Sequence, residues 1–266
     1  MNNHHMKKTI FLLLITVLAI SGCTSTKELT YLRNLPESES VQYFPMDIPE
    51  YKIQYRDILY FDIKTLTADG KIENVLQGNT SSSQAYIQGE ASQYIVGYSV
   101  DKEGMVLLPA FGKFHVGGLS LPEIRTIVQA KVDSIYKHSF AEVKLLSFKF
   151  TVLGEARNPG IYVNYNDYLT VLEAIGRAGG VSDYGKRTRV LVVRSNDKGT
   201  QTYRINLQDK NLLSSPAYFL MPNDVVIVDA ERHKTFNLNL PIFAFIISSI
   251  TSAVTTTILI MDSTRR

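Results

Sequence analysis

The stretch 150–195, FTVLGEARNPGIYVNYNDYLTVLEAIGRAGGVSDYGKRTRVLVVRS, contains in order the elements of one small folded unit. Two apolar runs flank the turn pair Pro159-Gly160 and predict two strands. Apolar residues at helical spacing follow, and Gly179-Gly180 predicts the end of that helix, since glycine accepts the left-handed conformation of a C-cap. A last apolar run predicts another strand. This order predicts a β-grasp-like arrangement of sheet and helix.

The residues around this stretch complete the unit. Asp167 is the predicted N-cap of the helix. Downstream, QTYRINL predicts a strand that pairs with VLVV, and FLMPNDVVIVDA predicts a Pro-Asn-Asp turn leading into a last buried strand over 225–228. Asn223 tolerates the left-handed backbone of such a turn.

The segment before this unit also has a β pattern. YKIQYRDILYFDI, residues 51–63, alternates in two runs, which Arg56-Asp57 interrupts with a predicted bend. Residues 64–92 are polar and rich in Gly, Ser and Asn, which predicts a long excursion loop with at most a short helix. Two apolar runs then flank a hairpin turn that ends at Gly104, and Pro109 ends the second run.

A helix is predicted to follow this hairpin. Ser120 is its N-cap, Pro122 and Glu123 lie in its first turn, and apolar residues at helical spacing extend it to about Tyr136. After it, AEVKLLSFKFTVLG predicts one strand, or two strands joined by a bulge.

The N-terminus has the pattern of an export signal. Lys7-Lys8 precedes an apolar stretch, 9–20, which is too short to span a bilayer as a mature helix. ISGC, ending at Cys23, resembles a bacterial lipobox, which implies cleavage before Cys23 and attachment of lipid to it. Cys23 is the only cysteine, so no disulfide forms within the chain. The polar residues that follow predict a tether between the lipid and the folded body.

The C-terminal stretch 243–261, FAFIISSITSAVTTTILIM, carries no charge but seven Ser and Thr residues. About 20 residues of helix cross a ~30 Å hydrocarbon core, so a transmembrane helix over 240–261 is predicted. Ser248, Thr251, Ser252 and Thr255 lie along one side and are candidates for lining a pore or contacting other helices. A lone helix can also satisfy its hydroxyls on its own backbone, so the pattern does not by itself establish a ring.

Few residues suit catalysis or cofactor binding. The His residues show no zinc-ligand spacing, no phosphate-binding loop or nucleophile motif occurs, and a net charge of +3 argues against a nucleic-acid partner. Asp57 and Asp224 could form a catalytic carboxylate pair, but roles in turns are favoured for both. Tyr162, Tyr165 and Tyr168 could stack on sugar, although packing on the sheet is the favoured role. No enzyme activity, cofactor or metal is predicted.

The order of these motifs resembles the Wza-type outer-membrane polysaccharide export family. YKIQYRDILYFDI and YSVDKEGMVLLPAFGKFHVGGLS resemble its first domain, with Arg56 at a usual glycine position. Its SLBB (soluble-ligand-binding β-grasp) domain is resembled by VLGEARNPGIYV, LTVLEAIGRAGG and LMPNDVVIVDA. In the last of these, Asn223 occupies a position where the family usually has glycine. The motif residues interpreted as turn positions are Asp57, Gly104, Pro109, Gly154, Pro159, Gly160, Gly179, Gly180 and Asp224.

The resemblance implies an α+β chain with a definite order. A lipoprotein signal peptide, 1–22, and a lipidated tether, 23–44, precede a mixed β/α polysaccharide export domain, 45–147. One SLBB domain, 148–232, and the single C-terminal helix, 240–261, follow. The body is expected in the periplasm of a bacterium, anchored by lipid to the outer membrane, with the C-terminus at the cell surface.

The implied function is that of a homo-oligomeric channel subunit that exports capsular or extracellular polysaccharide. Its implied partners are the polysaccharide in transit, copies of itself, membrane lipid, and an inner-membrane polysaccharide co-polymerase or tyrosine-kinase-type protein. Two alternatives remain: a periplasmic glycan-binding lipoprotein with a second membrane anchor and no channel, and a carbohydrate-active enzyme.

Overall fold

Two separate hydrophobic cores organise the chain. A computed structural model describes residues 29–36, 41–67, 69–76, 96–196, 199–231 and 233–264. One core draws its buried side chains from Ile53 to Val143, and the other from Phe148 to Val228. Leu145 packs against both cores, so the short connection around it joins the two units.

The first unit is built on β1 (Ile58–Leu66). This strand pairs antiparallel with β2 (Ile72–Asn74), β3 (Tyr98–Ser99) and β6 (Ser139–Leu145). Alternate residues of β1 point into the core, where Leu59, Phe61 and Ile63 are fully buried, as the period of two requires. A separate hairpin joins β4 (Met105–Leu108) to β5 (Gly112–His115).

The helix of this unit, α1 (Leu121–Asp133), begins at the predicted cap. The backbone N–H and hydroxyl of Ser120 both donate to Glu123 Oε2, at 2.7 and 3.0 Å. Its buried side chains are Ile124, Val128 and Val132. The helix ends three residues before the predicted Tyr136, and a closing turn follows in which the N–H groups of Ile135 and Tyr136 both donate to the Val132 carbonyl.

The second unit contains a five-stranded mixed sheet with one helix. The elements are β7 (Lys149–Gly154), β8 (Gly160–Val163), α2 (Val171–Arg177), β9 (Gly185–Asn196), β10 (Gly199–Ile205), a 3₁₀ helix (Lys210–Ser214) and β11 (Val225–Ala230). The strand order is β10-β9-β11-β7-β8. The first strand of the unit, β7, lies beside the last, β11. This pair is parallel, and the other pairs of the sheet are antiparallel.

The N-cap of α2 is Thr170 rather than the predicted Asp167. The Thr170 hydroxyl accepts from the Glu173 N–H at 3.2 Å, and the Thr170 N–H donates to the Glu173 carboxylate at 2.9 Å. This reciprocal pair needs Glu three residues after the cap, and Asp167 has no such partner. Gly179 and Gly180 follow the helix with φ of +77° and +87°.

Two strand predictions are wrong in detail. Residues 51–55 form no strand, because Ile53 bonds to the loop before α1: it donates to Leu119 and accepts from Gly118, both at 2.9 Å. The sequence 141–154 forms two strands, as one of the two predicted alternatives has it, but β6 and β7 belong to different sheets and are not joined by a bulge.

The predicted excursion loop over 64–92 begins later than expected. β1 continues to Leu66 and pairs there with β2, while residues 77–95 lie outside the described part of the chain. The last element is α3 (His233–Ser263), which contains Pro241.

Candidate functional site

Asp57 and Asp224 lie in different units, and each carboxylate accepts hydrogen bonds from its own set of protein donors. Asp57 belongs to the turn before β1, and Asp224 lies between the Pro-Asn turn and β11. Their relative exposures are 3% and 0%. The structure therefore does not bring them together at one cleft as a catalytic pair.

Asp57 ties the first unit to the connection between units. It accepts hydrogen bonds from the Tyr51 hydroxyl at 2.8 Å, the Gln54 N–H at 2.9 Å and the Ser147 hydroxyl at 3.0 Å. Ser147 lies between β6 and β7 and also accepts from the Ile58 N–H at 3.2 Å. Arg56, just before it, adopts φ of +74°, in the conformation for which the related motif has glycine.

Stability should depend on pH through Asp57. Burial raises the pKa of this carboxyl above its ordinary 3.8, although the bonds from Gln54, Tyr51 and Ser147 oppose that shift. The folded state then holds the proton more tightly, so the stabilisation is fully present below pH 3.8 and is lost as pH rises through the folded pKa. Asp57→Asn removes this titration. Urea unfolding at several pH values measures the free energy of unfolding of both proteins. We expect the advantage of wild type over the variant to be greatest at acid pH. A gap that widens towards neutral pH would contradict the assignment.

Asp224 forms a buried ion pair with Arg194 of β9. Arg194 Nε donates to both carboxylate oxygens at 3.1 and 3.2 Å, and its Nη2 donates to Oδ2 at 2.8 Å. The Met221 N–H donates to the same carboxylate at 2.8 Å. The Arg194 side chain is 13% exposed and also donates to the Phe219 carbonyl at 2.9 Å. The pair holds the turn before β11 against β9, so its chemistry is structural.

The remaining motif residues lie at the ends of elements. Gly104 and Pro109 flank β4, Gly154 ends β7, Pro159 precedes β8 and Gly160 begins it, and Gly179 and Gly180 follow α2. The loop before β8 meets the turn after α2, since the Arg157 N–H donates to the Gly180 carbonyl at 3.0 Å, whereas Gly104 and Pro109 lie in the first unit. Gly154 has the closest surroundings, since a Cβ there would lie 2.2 Å from the Val228 carbonyl oxygen.

Of the three tyrosines considered for sugar stacking, two are engaged with the protein. Tyr162 stacks on Phe150 with ring centres 5.5 Å apart, and Tyr168 meets Phe219 edge-on at 5.9 Å. Tyr165 is 83% exposed. No aromatic platform is formed by these three residues together.

The described part of the chain contains neither a candidate metal site nor a cluster of histidines. No group of three His, Cys, Asp or Glu residues there is arranged to hold a metal ion. His115, in β5, and His138, before β6, are both exposed.

The C-terminal helix α3 presents a long run of exposed apolar side chains. Phe245, Ile247 and Ile250 are 73%, 62% and 58% exposed, and further apolar residues from 242 to 261 share this exposure. A monomer rarely leaves so much contiguous apolar surface uncovered. This surface is therefore the candidate for contact with other molecules.

Several hydroxyl groups of α3 bond to carbonyls of the same helix. Thr251 donates to the carbonyls of Ile247 and Ser248, both at 2.9 Å, and Ser248 donates to Phe245 at 2.9 Å. Thr255 bonds to Thr251 and Ser252 in the same way. Ser248 and Ser252 line a shallow groove along the helix together with Ser249, Ala253, Thr256 and Thr257.

The predicted membrane span is not supported. Among the described residues, no helix combines the length and the apolarity that crossing a bilayer requires. A helix covers the predicted range, but seven hydroxyl residues between 243 and 261 dilute its apolar side chains. The expectation that the C-terminus reaches the cell surface through this helix loses its support as well.

Comparison with known proteins identifies the second unit. Residues 148–228 match the SLBB domain family. The second unit is therefore similar to an SLBB domain, and it is called the SLBB domain from here on. The match begins one residue before β7 and ends within β11, so it spans the mixed sheet and α2.

The chain is also similar to two Escherichia coli proteins, each named polysialic acid transport protein KpsD. Each is 28% identical to it over 151 residues, which is 54% of this chain and 26% of the relative. The chain thus spans about a quarter of the length of these relatives. With the SLBB domain, this similarity supports the resemblance to polysaccharide export proteins.

Several structural residues were not anticipated from the sequence. Arg194 looked like part of a strand, and only the fold pairs it with Asp224. Residues 31–34 were interpreted as tether, yet they contact the SLBB domain. The predicted lipid site, Cys23, lies outside the described residues.

Proposed function

We propose that this protein is a lipid-anchored subunit of an oligomeric outer-membrane channel that exports capsular or extracellular polysaccharide. The similarity to a polysialic acid transport protein, together with the SLBB domain, carries this proposal. The lipobox at Cys23 supports lipid anchoring, and the basic and apolar leader supports export to the periplasm. An inner-membrane co-polymerase or kinase-type partner would supply the polymer and the energy.

The engaged carboxylates support a conduit rather than an enzyme. Asp57 and Asp224, the acids considered for catalysis, are buried and bonded to protein donors. A glycosidase instead needs two carboxyl groups that face each other across the bond to be cut. A conduit has to pass its polymer without holding it, so it needs no such pair.

The exposed helix α3 supports assembly with copies of the same chain. Its apolar side chains need cover, and a ring of identical subunits supplies the same surface to each member. The Thr251 and Thr255 hydroxyls bond to carbonyls of their own helix, so these two residues can pack in an apolar contact without leaving their donors unsatisfied.

A substitution in α3 tests the assembly. Ile250→Asp places a charge on the exposed apolar face and is expected to convert the oligomer to monomer, because an unpaired charge cannot be buried cheaply. Ile250→Leu keeps volume and polarity and should leave the assembly unchanged. Light scattering of the full chain in detergent measures the mass, and electron microscopy shows whether a ring forms.

Export in cells completes this test. Deletion of the gene should abolish extracellular polysaccharide, and Ile250→Asp should reduce it strongly. A strictly monomeric wild type whose deletion leaves export intact would exclude the proposal. Saturable oligosaccharide binding by such a monomer would favour the glycan-binding lipoprotein instead.

A further inference from the structure

A short N-terminal segment, residues 31–34, is docked on the SLBB domain. The Leu32 N–H donates to the Leu207 carbonyl at 2.9 Å, and the Leu32 side chain packs on the SLBB core. The Asn34 side chain makes two bonds: its Nδ2 donates to Asp209 at 3.0 Å, and its Oδ1 accepts from the Lys210 N–H at 2.6 Å. These contacts link positions about 175 residues apart.

Asn34 matches the polar groups that the domain offers at this place. Asp209 caps the 3₁₀ helix Lys210–Ser214 by accepting from the Asn211 N–H at 2.9 Å. The Lys210 N–H, at the start of that helix, has no acceptor within the helix itself. A side-chain amide supplies a donor for the carboxylate and an acceptor for the N–H at once, which a charged residue at position 34 would not do.

Tyr31 covers a buried cation of the SLBB domain. The Arg187 guanidinium lies over the Tyr31 ring, 5.7 Å from its centre, and Arg187 is only 8% exposed. Arg187 also donates to the carbonyl of Val181 at 3.2 Å, and the Val181 N–H donates to the Tyr31 hydroxyl at 3.4 Å. Among the described residues, Arg187 Nε is the buried side-chain atom without a hydrogen-bond partner, so the tyrosine face is part of what accommodates this charge.

We propose that residues 31–34 form a docking segment that holds the SLBB domain close to the lipid at Cys23. The inference rests on the proposed lipidation of Cys23. Tyr31 is eight residues from Cys23, so the two residues are at most about 29 Å apart even in a fully extended chain. Without docking, the first anchored point would be near Tyr51, which permits a separation of about 100 Å. Docking therefore replaces a long tether by a short one and orients the SLBB domain, rather than the first unit, towards the anchoring membrane.

Limited proteolysis of the full chain in detergent tests the docking. Trypsin cleaves after Arg33, whose backbone must leave the domain before a protease can hold it. Cleavage there is expected to be slow in wild type and roughly tenfold faster in Tyr31→Ala and in Asp209→Ala, which lose contacts from opposite sides of the interface. Tyr43→Ala, an 87% exposed tyrosine outside the segment, is the matched control and should cleave like wild type. Equal cleavage rates in all four proteins would overturn the proposal.

A cysteine pair distinguishes docking within a chain from docking onto a neighbour. Asn34→Cys with Asp209→Cys should form a disulfide within one chain, seen as a monomer of altered mobility without reductant. A crosslinked dimer would show that the segment belongs to a neighbouring copy and would overturn the arrangement within one chain. Incorporation of labelled palmitate at Cys23 separates the docking hypothesis from the lipidation hypothesis. Label on Cys23 with an unprotected Arg33 refutes docking alone, whereas protection of Arg33 without label refutes lipidation and, with it, the membrane-positioning role.

Discussion

Arg194→Ala is expected to lower the free energy of unfolding of the SLBB domain by about 3–5 kcal/mol, because it leaves a buried carboxylate without its cation. Asp224 is fully buried, and Arg194 supplies three of its hydrogen bonds. Urea unfolding of the full chain, followed by amide exchange in β9 and β11, measures the loss. Such a loss is a large part of the stability of an ordinary domain.

A second arginine of the same strand is the control. Arg189 pairs with Asp229 at 3.1 Å, but the two side chains are 54% and 36% exposed. Arg189→Ala should cost at most about 1 kcal/mol, because water screens an exposed pair. Equal losses in the two variants would contradict a special role for the buried pair.

The effect of Arg194→Ala should also depend on pH. Burial already raises the pKa of Asp224, and Arg194 opposes that shift. Without Arg194 the folded pKa rises further, so the variant regains stability as pH falls through that pKa and the carboxyl becomes neutral. A deficit that stays constant down to acid pH would argue that lost packing, rather than the uncompensated charge, causes the loss.

Gly154→Ala is expected to destabilise the SLBB domain by about 2–5 kcal/mol through two effects that act together. Gly154 has φ of +79°, which strains any residue with a Cβ. The new Cβ would also lie 2.2 Å from the Val228 carbonyl oxygen, a backbone atom of the neighbouring parallel strand. Relief requires β7 and β11 to separate at the centre of the sheet.

Two other glycines separate strain from collision. Gly112 has φ of +88° but open space around it, so Gly112→Ala should cost only about 1–2 kcal/mol of backbone strain. Gly160 has no positive φ, and its nearest neighbour, Tyr162, lies 3.9 Å from the added atom, so Gly160→Ala should be close to neutral. Thermal unfolding of the three variants should rank them in this order. A Gly154 variant as stable as the Gly160 variant would contradict the close approach of β7 and β11.

The two ends of the chain show where local pattern is an incomplete guide. Residues 23–44 are polar enough to predict a tether, yet three of them, Tyr31, Leu32 and Asn34, contact the SLBB domain. At the other end, the pattern correctly predicts a helix, but its hydroxyl content leaves the membrane span unsupported. The N-terminal outcome depends on what the segment contacts, whereas the C-terminal outcome depends on the composition of the helix itself.

Local chemistry determined much of the fold in advance. Ser120 and Glu123 predict the start of α1, Gly179-Gly180 predicts the end of α2, and short apolar runs predict β9 and β11, since each signal acts within a few residues. Only the tertiary structure decided that Arg194 meets Asp224, that Ser147 closes the turn at Asp57, and that Asn34 reaches Asp209. The residues of each pair are distant in the sequence and meet only because of the order in which the strands pack. That order is stabilised by the burial of whole hydrophobic cores, which no local pattern encodes.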